Sequence, residues 1–228
     1  MSRTVVCVHG AGGGGWEYAK WEPTFRAAGY QFIANDLTPT DAGLAATTVD
    51  DYLIQVKQWA TVDARPILVG ASMGGILVLK AAEVVQPAAL VLVNSVPPAG
   101  VGARRPAKTY PPIIEWANGS LAETRDALFD SDDATIEWAW PRWRDESGAV
   151  LQTIAAGIAV QPPPCPTLVV LGEQDTDIPY QTGLALAEWA GADVLLYRGM
   201  SHVGPLLSRR AEEVAQMVVA WCGRRDYD

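Results

Sequence analysis

Cysteine is scarce in this chain of 228 residues, and the three present, Cys7, Cys165 and Cys222, are odd in number and far apart. That excludes a disulfide framework and leaves no Cys-x-x-Cys spacing for zinc or thiol exchange, so a reducing, cytoplasmic compartment is expected. Histidine is scarcer still, with only His9 and His202. Two separated imidazoles and three scattered thiols make no ligand set, and neither a metal nor an organic cofactor is expected. Basic charge is in deficit: 17 Lys and Arg against 26 Asp and Glu give a formal charge of -9. Nucleic acid and anionic membranes need a basic patch, which the short Arg104 and Arg105 pair does not supply, so neither is an expected partner. No apolar run approaches membrane-spanning length, the first strand begins almost at once without a charged and apolar leader, and no polar repetitive stretch signals disorder.

What is present is the composition of a globular body, 49% hydrophobic and 19% charged, long enough for a sizeable core. Apolar, β-branched stretches at 4–8, 30–34, 67–69, 90–93, 167–171 and 194–197 read as six strands. Helical spacing recurs at 16–28, where Trp21, Phe25 and Ala28 share a side, at 48–60, where Val49, Tyr52, Leu53, Val56 and Trp59 do, and at 76–85, 182–190 and 211–222. Strands alternating with helices predict an α/β fold, a mostly parallel sheet covered on both faces.

Residues 96–161 interrupt the alternation. Pro97-Pro98 opens the segment, and Pro162-Pro163-Pro164-Cys165-Pro166 follows it as a stiff approach to the next strand. Between them, short helices are predicted at 111–117, at 120–129 with Ser120 and Glu123 as a capping box, at 133–140 and at about 149–159. The expected organisation is a core of 1–95 and 162–228 with a helical lid at 96–161. The lid carries Trp116, Trp138, Trp140 and Trp143, four of the nine tryptophans. They serve either as lid packing or as walls of a pocket for a flat, apolar ligand, and exposed lid aromatics also offer a face for a homodimer.

Chemistry concentrates at Gly70-Ala71-Ser72-Met73-Gly74. Gly-x-Ser-x-Gly between a strand and a helix is a nucleophile elbow, in which small neighbours let the backbone turn sharply and present the serine. The first strand runs into His9-Gly10-Ala11-Gly12-Gly13-Gly14-Gly15. Such a loop can cradle a dinucleotide, with Asp36 as the acid after the second strand, or it can present a backbone N–H to a developing oxyanion. A serine elbow two strands later favours the second.

A serine needs a positioned base. In the chain order serine, acid, histidine, the base is His202, directly after the last strand, and His9 is read as a loop-shaping histidine. The acid that orients it comes from Glu173, Asp175 or Asp177, at the end of the strand before last; Asp175 is the first choice and Asp177 the second.

From the His9-Gly10 loop through Ser72 to Asp175 and His202, the chain resembles an α/β-hydrolase-fold serine hydrolase. The Gly10-Ala11 loop with Trp16 behind it, the small size and the helical lid are similar to the methylesterase and hydroxynitrile lyase branch. The resemblance implies Ser72 as nucleophile, His202 as base, Asp175 as its orienter, and the N–H groups of Ala11 and Met73 as an oxyanion hole. Lyases of that branch carry threonine where this chain has Gly10 and a lysine soon after the histidine, where this chain has Val203-Gly204-Pro205. Relatives with an aspartate nucleophile are disfavoured by Ser72, and Asn94, where some relatives place their acid, has no carboxylate. The expected function is hydrolysis of an ester, thioester or lactone of a small apolar or aromatic molecule. Lyase, cyclase or condensation chemistry on the same residues, or a small-ligand receptor, are the alternatives.

Overall fold

The computed structural model describes residues 3–102 and 108–224, so the Arg104 and Arg105 pair lies outside the described residues. Six strands form one parallel sheet: β1 (Thr4–Val8), β2 (Gln31–Ile33), β3 (Ile67–Ala71), β4 (Ala89–Val93), β7 (Thr167–Gly172) and β8 (Asp193–Tyr197), in the order β2-β1-β3-β4-β7-β8. Strands β5 (Ile113–Ile114) and β6 (Glu146–Ser147) form a separate antiparallel pair. Among the helices, α1 (Glu22–Ala27), α2 (Val49–Ala60) and α3 (Met73–Val85) precede the long insertion; α4 (Leu121–Ala127), α5 (Asp133–Ala139) and α6 (Gly148–Ala156) lie within it; α7 (Tyr180–Ala190), α8 (Gly204–Leu207) and α9 (Ala211–Arg224) follow. Among the described residues, no helix is long and apolar enough to cross a membrane.

The period of two along each strand divides the core. Val5 and Cys7 of β1 join Trp21, Phe25, Val214 and Val218 on one face of the sheet. Val6 and Val8 join Tyr52, Val56, Leu77 and Leu186 on the other. Each such aliphatic side chain contributes about 1.5–3 kcal/mol on full burial, which explains why both faces of the central strands are apolar.

Two predicted helices take other forms. Residues 16–28 break into a single 3-10 turn at Gly15–Tyr18 and the short α1, because Pro23 has no N–H and fits only the first helical turn. Trp21 and Phe25 are buried as their spacing predicts, whereas Ala28 lies past the helix end and is exposed. Residues 111–117 form no helix: after the extended Pro111-Pro112, Ile113 and Ile114 pair with Ser147 and Glu146. The capping box of Ser120 and Glu123 at the start of α4 is formed, with Ser120 N donating to Glu123 Oε2 at 2.7 Å.

The chain runs from β1 outward to β2 and then returns to β3 on the other side of β1. The carboxyl ends of β1 and β3 therefore flank a topological switch point, the crevice where open α/β sheets take their ligands. The glycine loop leaves β1 at that crevice, and the elbow leaves β3.

Candidate active site

Ser72 joins β3 to α3 with φ 52° and ψ -116°, a region that costs a non-glycine residue about 1–3 kcal/mol unless its surroundings impose it. The surroundings do so by close approach. A Cβ on Gly70 would overlap the carbonyl of Gly74, and one on Gly74 would overlap the carbonyl of Val8 in β1. Both glycines of the motif are thus required by backbone contact. Ser72 does not cap the helix it begins, so its hydroxyl is left to the crevice. Met73 is the first helical residue, and its amide has no acceptor within the helix.

His202 follows β8, and Asp175 lies in the loop after β7. Asp175 Oδ2 accepts from His202 Nδ1 at 2.7 Å, and Asp175 Oδ1 accepts from the amides of Asp177 at 2.9 Å and Ile178 at 2.8 Å. Three donors fix this buried carboxylate, and the pairing assigns the imidazole proton to Nδ1, leaving Nε2 as the basic nitrogen. Burial disfavours the imidazolium, but the hydrogen bond and charge of Asp175, joined by Asp177 and Glu17, outweigh it and raise the His202 pKa above the ordinary 6.5. Asp177 lies 4.0 Å from Nε2 with its side chain largely exposed, and Glu173 accepts from the Gly199 amide instead. Asn94, at the end of β4, ties this edge together: its Nδ2 donates to His202 O at 2.6 Å, and its Oδ1 accepts from Gly172 N at 2.8 Å.

His9 is buried and turned away from this chemistry. Its Nε2 accepts from Leu37 N at 2.9 Å and its Nδ1 donates to Gly10 O at 2.8 Å, a neutral tautomer; burial lowers its pKa to about 4. Asp36 accepts from Gly15 N at 2.7 Å and pairs with Arg144 of the insertion at 2.9 Å, so this acid is engaged in holding the loop.

A cavity of about 1240 Å3 opens over these residues, with Ala11, Ser72, Met73 and His202 in its wall. From the insertion come Tyr110, Trp116, Phe129 and Trp143. The four predicted tryptophans therefore divide. Trp116 and Trp143 line the cavity, Trp143 also donating to Thr124 Oγ1 at 3.1 Å. Trp138 and Trp140 do not line it. Trp138 packs edge-on against Trp16 at 5.5 Å with the Arg142 guanidinium over its ring, and Trp140 sits at the surface, donating to Gly119 O at 2.8 Å. Trp138 on α5 and Trp140 in the turn after it are held by partners of their own, so closeness in sequence does not place all four on one wall.

Sequence reasoning missed Glu17, which is buried and part of the cavity wall. Its signal was present: it is the one charged residue between Arg3 and Lys20, set among glycines and aromatics. Burial raises its pKa from 4.5 to about 7, against the opposing hydrogen bond from the Gly10 amide. Glu146, buried in β6, and Asp130, which accepts from Ser201 N at 2.9 Å and Ser201 Oγ at 2.8 Å beside His202, were also missed. Nothing local marks either one.

The sequence profile of the Alpha/beta hydrolase family matches residues 5–217. Among curated proteins, salicylic acid-binding protein 2 of Nicotiana tabacum is 37% identical over 80 residues, which cover 32% of this chain and 31% of that protein's length. Among solved structures, the chain is similar to tomato methylketone synthase I complexed with 2-tridecanone, with a TM-score of 0.78 and 17% identity over 99% of each chain. It is similar to polyneuridine aldehyde esterase, with a TM-score of 0.76 and 18% identity over 98% of this chain and 100% of that one. A methylesterase from Arabidopsis gives 0.72 and 16% over 97% of this chain and 99% of that one. At such identities these structures share the fold.

Proposed function

The chain belongs to the alpha/beta hydrolase family, and from that premise we propose that it is a serine esterase that acts through an acyl-enzyme on Ser72. One observation carries the reading: His202, held at 2.7 Å by the buried Asp175, faces the same cavity as a serine in a strained strand-to-helix turn. In this reading Ser72 Oγ attacks an ester carbonyl as Nε2 of His202 takes its proton. Asp175 holds the tautomer and stabilises the imidazolium. The amides of Met73 and Ala11 take the charge that develops on the carbonyl oxygen, each contributing about 3–4 kcal/mol to the transition state. His202 then protonates the leaving alcohol, and water activated by the same nitrogen releases the acid.

The aromatic lining from Tyr110, Trp116, Phe129 and Trp143 supports a small apolar or aromatic substrate. Stopped-flow mixing with p-nitrophenyl acetate tests the mechanism. The expected result is a burst of nitrophenol equal to the protein concentration, abolished in Ser72→Ala while the circular dichroism spectrum is unchanged. A Ser72→Ala variant that keeps the burst would remove the serine from the mechanism. Release without any burst from the wild type would remove the accumulating acyl-enzyme.

A further inference from the structure

The turn after β1 uses its amides in a pattern. The Gly10 amide donates to Glu17 Oε2 at 3.1 Å, and the Gly12 amide donates to Glu146 Oε2 at 3.2 Å. The Ala11 amide lies between them and, among the described residues, has no protein acceptor. Each carboxylate is 3% exposed. Glu146 is further committed, since Oε1 accepts from Tyr52 Oη at 2.8 Å and from its neighbour Ser147 N at 2.7 Å. Beside it, the Arg144 amide donates to Gly12 O at 2.7 Å.

Two buried carboxyl groups around one short turn are a costly way to satisfy two amides, because each gives up hydration that a backbone carbonyl in its place would not. Their placement has a geometric result. With the amides on both sides tied down, the Gly10–Ala11 peptide unit is held between two anchored units, and the Ala11 amide that it carries stays in the cavity wall beside Ser72. We propose that Glu17 and Glu146 are positioning residues for the oxyanion hole: they hold the Gly10 and Gly12 amides so that the Ala11 amide faces the carbonyl oxygen of an acyl group on Ser72. Glu146 belongs to the insertion, so the hole is complete only with the insertion seated on the core. The inference rests on the acyl-transfer reading above.

The chemistry of the two acids gives different variants different outcomes. Glu146 accepts backbone N–H donors on both of its oxygens, so whichever way glutamine is placed its NH2 meets an N–H. Glu17 takes one backbone donor, which glutamine still accepts. With p-nitrophenyl acetate, the burst rate constant of Glu146→Gln and Glu17→Ala should fall about 10-fold to 100-fold with KM changed less than about twofold, as for loss of an oxyanion donor's support. Glu17→Gln should keep most of the rate. Tyr52→Phe, which removes one donor to Glu146, should fall less in the same direction and carries the test if Glu146→Gln does not fold. Amide hydrogen exchange of residues 10–15 should accelerate in the impaired variants while β1 and β3 stay protected. Unchanged burst rates in Glu146→Gln and Glu17→Ala would overturn the inference, as would a loss matched by exchange throughout the core. A burst that Ser72→Ala retains overturns the acyl-transfer reading and this inference with it, whereas a burst lost in Ser72→Ala but unchanged in Glu146→Gln and Glu17→Ala overturns this inference alone.

Discussion

Two glycine-rich turns stand side by side at the carboxyl ends of β1 and β3, and they are held by opposite means. The elbow around Ser72 is shaped by its own backbone: Gly70 and Gly74 approach neighbouring carbonyls too closely for any side chain, and α3 continues from the turn at once. The loop from Gly10 to Gly15 is shaped by side chains from elsewhere, Glu17, Asp36 and, across 134 residues of chain, Glu146. A turn fixed by sterics keeps its form while the strand and helix persist. A turn fixed by carboxylates can be shifted by protonation or by movement of the element that supplies them.

The largest expected effect leaves both turns intact. Asp175→Asn removes the charge that orients His202 and favours the tautomer with Nδ1 unprotonated, so the burst rate should fall about 10^4-fold with Ser72 and the glycine loop in place. Retained burst kinetics in Asp175→Asn would transfer the role to Asp177, the carboxylate 4.0 Å from Nε2.

The next effect is confined to the loop and appears in stability. Burial raises the Glu17 pKa from 4.5 to about 7, so the folded chain keeps a proton that the unfolded chain has lost. Stability from this group is complete below pH 4.5 and is lost as pH rises through 7, a change of about 3 kcal/mol. In the same loop His9, lowered from 6.5 to about 4, works the other way: its contribution is complete above 6.5 and is lost as pH falls through 4. Glu17→Gln should therefore gain on the wild type between pH 5 and 8 in urea denaturation, with the acid-side loss due to His9 unchanged. A constant difference across that range would mean that Glu17 titrates alike in both states.

The elbow responds to bulk instead of pH. Gly74→Ala places a methyl against the Val8 carbonyl and should cost about 1–3 kcal/mol at every pH, read as a parallel displacement of the denaturation midpoint.

This contrast also explains what could be read in advance. Gly-x-Ser-x-Gly, the period-two strands and the Ser120 cap are local: each is specified by residues within a few positions of itself, and the six-stranded sheet followed from them. Apolar spacing alone predicts one helix over residues 16–28, because it does not display the constraint that a proline sets on where a helix begins. The strand at Ile113–Ile114 depends on a distant partner, Glu146–Ser147, and the tie from Glu146 to Gly12 on the packing of the insertion over β1. In a sequence such a glutamate looks like any other acid, since the donors that justify its burial are contributed by distant chain. Glu17 could have been noticed, because a charge in so apolar a stretch demands a reason.

The smallest effect joins the two turns through His202. Acylation needs neutral imidazole, so the burst rate climbs with pH along a limb whose midpoint is the His202 pKa, above 6.5 because nearby carboxylates outweigh burial. Of those carboxylates, Asp177 acts more strongly than Glu17, and Asp175 more strongly than either. Asp177→Asn should move the limb to lower pH, and Glu17→Gln should move it the same way by less. Glu17 itself ionises near pH 7, so in the wild type its charge arrives while the limb is rising and broadens it. Removing that charge should leave a steeper limb at lower pH. An unmoved and equally broad limb in Glu17→Gln would confine Glu17 to holding the Gly10 amide, with no electrostatic reach to the base.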